Sequence, residues 1–115
     1  GSPYATYTLK GKVTDMNGKA ISGIRVDAAG RSYTDEEGTF SCTGDGMYGI
    51  PHTIEVHLQD VDGTDNGGLF ADKHLSVTFQ ETDRVEGTSA GWYEGIYEIT
   101  GFDVTLEEYK EEKKP

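Results

Sequence analysis

The feature that most restricts this chain is the step of two between its apolar residues. In Thr6–Asp15, Tyr7, Leu9 and Val13 fall on one face of an extended segment, and Thr8, Lys10, Lys12 and Thr14 fall on the other. A helix would space its apolar residues by three and four, so this run predicts a half-buried strand. Ile24, Val26 and Ala28 repeat the pattern against Arg25 and Asp27, and Ile54, Val56 and Leu58 repeat it against Glu55, His57 and Gln59. Leu75, Val77 and Phe79 alternate with Ser76, Thr78 and Gln80, and Phe102, Val104 and Leu106 alternate with Asp103 and Thr105. Ser32–Thr34 reads as a short strand, and Phe40 and Cys42 point inward on the next one.

The runs are punctuated by turn chemistry. Asn17-Gly18 is a dipeptide that tolerates positive φ, and Asp35-Glu36-Glu37-Gly38 closes another turn. Residues 44–51 read as irregular and 81–91 as a polar loop. Trp92, Ile96, Tyr97 and Ile99 lie in a segment broken by Gly95 and Gly101, which fits either a further strand or a covering loop. No stretch carries a convincing amphipathic helical stripe. The expected fold is therefore all-β, an antiparallel sandwich of about seven strands. Length allows one core, since 115 residues bury roughly two-thirds of the surface of the unfolded chain. Residues 1–3 read as an expression remnant or linker, 4–106 as the sandwich domain, and 107–115 as a charged, frayed tail.

A formal net charge of −11 opposes binding to nucleic-acid phosphates and to anionic lipid surfaces, and favours cations and cationic partners. The single cysteine, Cys42, rules out an intramolecular disulfide and a multi-cysteine zinc site, and its alternation phase places it in the core. No run approaches the ~20 apolar residues of a membrane span.

The first forty residues carry a patterned set: L-K-G-K-V-T-D-M-N-G-K-A-I-S-G-I-R-V-D, followed by Y-T-D-E-E-G-T-F-S. This resembles the carboxypeptidase-regulatory-like modules, with a strand G-x-V-T-D, a turn N-G-K, a return strand I-x-G-I-x-V and a turn T-D-x-x-G-x-F. Thr34, Asp35, Gly38 and Phe40 match the last element. The resemblance implies a prealbumin-like (transthyretin-like) Greek-key sandwich, of a kind that serves in exported proteins as a non-catalytic spacer or binding surface. The remainder, with D-V-D-G-T-D-N-G-G-L-F-A-D at its centre, is similar to small lipoproteins of Gram-negative bacteria named for lying near radical-SAM genes. That likeness implies a lipid-anchored protein on the periplasmic side or the cell surface, with a protein or glycan of the envelope as partner.

Asp60, Asp62, Asp65 and Asn66 form the first chemical candidate, because calcium takes six to eight oxygen ligands and the interleaved glycines let carbonyls turn inward. The register is not that of an EF-hand: Gly63 stands fourth and Ala71 replaces the bidentate glutamate. The competing expectation is an Asx-rich loop anchored on the core by Leu69 or Phe70. His52, His57 and His74 form neither H-x-H nor H-E-x-x-H, so they are not expected to bind metal, and His57 shares a solvated face with Glu55. Trp92, Tyr93 and Tyr97 are the second candidate, an aromatic platform for a sugar or peptide, against the alternative that they close the core.

No nucleophile elbow, P-loop or dinucleotide fingerprint occurs, and the terminal Y-R-G-S of a urate-pathway hydrolase related to transthyretin is missing. Lys10 and Lys12 lie on the polar phase with Glu55 and Asp103, whereas an internal isopeptide bond needs a buried lysine. The expectation is a structural or protein-interaction module without catalysis or a required cofactor. The alternative is a calcium- or small-ligand-binding domain using residues 60–68.

Overall fold

A computed structural model describes residues 1–65, 67–87 and 91–111. Among the described residues nine strands form two sheets: β1 (Tyr4–Thr14), β2 (Ile24–Asp27), β3 (Arg31–Tyr33), β4 (Thr39–Met47), β5 (His52–Asp60), β6 (Lys73–Phe79), β7 (Arg84–Glu86), β8 (Tyr93–Ile99) and β9 (Val104–Thr105). The first sheet runs β4-β1-β8-β7, with β9 also on β1; the second runs β3-β2-β5-β6. The second sheet is antiparallel throughout, whereas β8 and β9 both lie parallel to β1. The architecture is an all-β sandwich built from one mixed and one antiparallel sheet.

Alternation assigned the inner faces correctly. Leu9, Val13, Ile24, Val26, Cys42, Val56 and Leu58 meet in the main core, where Phe40, Phe70 and Leu106 also pack. Ala5, Tyr7, Phe79 and Tyr97 form a second cluster. Burial pushes the Cys42 thiol up to about 11, and its Sγ lies 3.4 Å from the Val26 carbonyl it faces.

The patterned turns are held by their own side chains. Asp15 accepts the amides of Asn17 and Lys19 at 2.8 and 2.9 Å. Asp35 accepts those of Glu37 and Thr39 and the Thr39 hydroxyl, and these bonds, the hydroxyl's first, hold its carboxyl below the usual range. The buried Thr34 hydroxyl takes the Ile24 N–H at 2.9 Å and donates to the Ile21 carbonyl at 2.7 Å. Gly38 holds φ 78°, with the Val13 carbonyl where a Cβ would lie, so each matched residue has a structural reason to be where it is.

Three segments differ from expectation, and a fourth, open between a strand and a covering loop, takes the first of these forms. Strand β4 continues to Met47 through residues expected to be irregular. It stays extended because its pairing with β1 runs on to Tyr4 opposite Met47, and Gly44 lets the Ala29 carbonyl approach so closely that a Cβ would lie 2.0 Å from it; Gly30 is approached in the same way by the Thr43 carbonyl. The expected loop 81–91 contains a 3₁₀ turn, Glu81–Asp83, and β7. Residues 93–99 are a strand, with Gly95 at φ 100° and shifted register toward both β1 and β7. The tail is tied at its start: the Ala71 amide donates to Glu107 and the Tyr109 amide to Leu69, each at 2.9 Å.

Candidate functional site

The outer face of the second sheet brings together residues far apart in sequence. Asp27 of β2 lies opposite His57 of β5, and His57 lies opposite His74 of β6. Side chains directly opposite one another share a face, so the three form one row. The two imidazoles stack with centroids 4.1 Å apart and planes inclined by 15°. Asp72, two residues before His74 and so in the same phase, places Oδ2 3.2 Å from His57 Nε2. One donor atom from each of His57, Asp72 and His74 lies within 4.8 Å of the other two.

The intervening Lys73 is turned away, its Nζ donating to the Thr105 carbonyl at 2.8 Å. At the other end of the row Arg31 Nε binds the Asp27 carboxylate at 2.7 Å, with Arg25 Nε at 3.3 Å. The Arg31 hydrogen bond is the main reason that Asp27 stays ionised below the usual carboxylate range. The row therefore runs from a guanidinium-neutralised carboxylate to an imidazole pair flanked by a second carboxylate, which is in hydrogen-bond reach of His57.

The aspartate loop leaves from the end of β5. Asp60, half-buried, accepts the Phe70 N–H at 3.0 Å and the Asp62 N–H at 3.3 Å, so one carboxylate ties both ends of the loop. Burial first, and then the neighbouring Asp62 carboxyl, push its titration up. Phe70, 5% exposed, is the anchor in the core, while Leu69 remains on the surface. Asp60 and Asp62 are thus brought together; Asp65 is exposed, with its amide 3.4 Å from the Asp62 carbonyl. Asn66 lies outside the described residues.

Of the aromatic candidates, Tyr97 is removed from the platform, because its ring is buried beside Tyr7 and Phe79. Strand alternation at β8 turns it inward; its hydroxyl donates to Glu81 at 3.1 Å and accepts from Arg84 Nε at 2.9 Å. Burial, more than any neighbour, pushes it up to about 12. Tyr93 stays on the outer face of the first sheet, where Met47, Tyr4 and Tyr93 lie opposite one another on β4, β1 and β8. The Tyr4 and Tyr93 rings are 5.2 Å apart, and the Tyr93 hydroxyl pairs with the Thr6 hydroxyl at 2.9 Å. Met47 is 74% exposed, Trp92 56% and Tyr4 43%. An open groove of about 340 Å³ separates the Asp15–Asn17 turn from Leu106–Glu108. Asp15 there is already bound to its own turn.

Compared with known proteins, the chain matches no protein-family model, and no curated protein matches it significantly.

Sequence spacing missed the histidine pair and the part that Tyr4 and Met47 take in the aromatic row. Motif spacing along one strand is blind to a partner on the next, and His57 and His74 meet only through the β5–β6 register. The outward phase of His57 with Glu55 was a usable signal, as was the matching phase of His74 with Ser76 on β6.

Proposed function

We propose that this chain is a non-catalytic sandwich module of the carboxypeptidase-regulatory-like, prealbumin-like kind, with Greek-key connections, tethered by lipid at the cell envelope, and that it works by holding a partner protein. The likeness of the first forty residues supports the family and the setting. The observation that carries the interaction role is the Met47–Tyr4–Tyr93 row with exposed Trp92 beside it, where the Tyr4 amide donates to the Trp92 carbonyl at 2.9 Å. Aromatic and methionine side chains crowded on a sheet surface are enriched where proteins meet, because the rings bury a large area with few rotatable bonds and the thioether adapts to the shape it meets. A chain of this charge needs such a local apolar row to bind anything but cationic surfaces.

The test is a photo-reactive amino acid at Met47, with a control at the exposed Glu55 on the opposite sheet, followed by irradiation of intact cells. A discrete protein adduct at Met47 that is lost on Tyr4→Ala, and none at Glu55, supports the reading. Equal labelling at both positions, or none at Met47, overturns it.

A further inference from the structure

We propose that His57, His74 and Asp72 form a binding site for a divalent transition-metal ion of the zinc class on the outer face of the second sheet. The proposal is independent of the partner-binding row, which lies on the other sheet. Imidazole nitrogen suits zinc, copper and nickel and is a poor ligand for calcium or magnesium, so two histidines with one carboxylate set the class of ion. Three protein ligands leave the remaining coordination positions to water or to a donor from another molecule, the pattern of an open rather than a closed structural site.

The backbone supplies the preorganisation. Direct cross-strand pairing holds the Cβ atoms of His57 and His74 about 5 Å apart, and the i,i+2 relation of Asp72 and His74 keeps the carboxylate on their side. Metal bonds of about 2.0–2.2 Å require donors closer together than the 4.8 Å limit within which these three already lie. The closure falls to side chains that have room to turn: His57 is 31% and Asp72 50% exposed. Among the described residues no cation competes inside the cluster, since Lys73 is bonded to Thr105 and the two arginines are held at Asp27.

Isothermal titration calorimetry of the full chain with zinc chloride tests this directly. Wild type is expected to take up one equivalent, with His57→Ala and His74→Ala each weakening binding at least about tenfold, as losing a direct ligand should exceed the 10–100-fold effect of losing an outer-shell partner. Asp72→Asn should weaken it less, and His52→Gln, whose ring stacks on Tyr7 elsewhere on β5, should leave it unchanged. Circular dichroism confirms that each variant retains its β spectrum, which surface substitutions should preserve. Calcium should give no uptake that depends on His57. No heat at millimolar zinc, or equal uptake by wild type and the His57/His74 double variant, overturns the site.

Discussion

Thr34 joins two segments with a single hydroxyl, accepting from Ile24 and donating to Ile21 where both backbone groups are buried. Thr34→Val keeps the shape and strands both groups, so it should destabilise the fold by about 2–4 kcal/mol, read as a lowered denaturant midpoint with unchanged slope. An unchanged midpoint would show that water reaches those groups. This residue was legible because its pattern fixes a turn, and turns are local. The histidines were not: His57 and His74 stand seventeen positions apart, and only strand register makes them neighbours. Asp60 falls between these cases, since its place in an Asx-rich loop was readable but its bond to the Phe70 amide, ten residues on, was not.

At the scale of elements, period-two runs located β1, β2, β5 and β6 because each shows one face to the core and one to water. The signal fails at β8, where Gly95 at positive φ shifts the register and sets Ile96 outward and Tyr97 inward after an interrupted start. It fails again at the end of β4, whose glycines carry no side chain to reveal a phase. Gly44 serves close approach of the β2–β3 turn: a methyl there would meet the Ala29 carbonyl, a backbone atom that cannot rotate away. Gly44→Ala should therefore cost at least about 1–3 kcal/mol, more than its gain in chain stiffness returns. A melting temperature equal to wild type would mean that the β2–β3 turn moves freely from β4.

The whole molecule places its chemistry on two outward faces, an apolar aromatic row on the mixed sheet and an imidazole pair on the antiparallel one, with the core between them filled by aliphatic and aromatic side chains. Alternating runs and glycine turns anticipated the all-β sandwich, because they allow few other closures. They could not order the strands: parallel placement of β8 beside β1 joins residues nearly ninety apart and packs Tyr97 against Tyr7, a pairing that no local preference reveals. Both proposed surfaces depend on register, and a slip of one residue would turn each row to the other face. Nuclear Overhauser contacts in solution measure this most directly. The expected spectrum joins the His57 and His74 rings and also joins Tyr4 to both Met47 and Tyr93; contacts from His57 to Lys73 or Leu75 in place of His74, or an antiparallel β1–β8 pattern, would contradict the account.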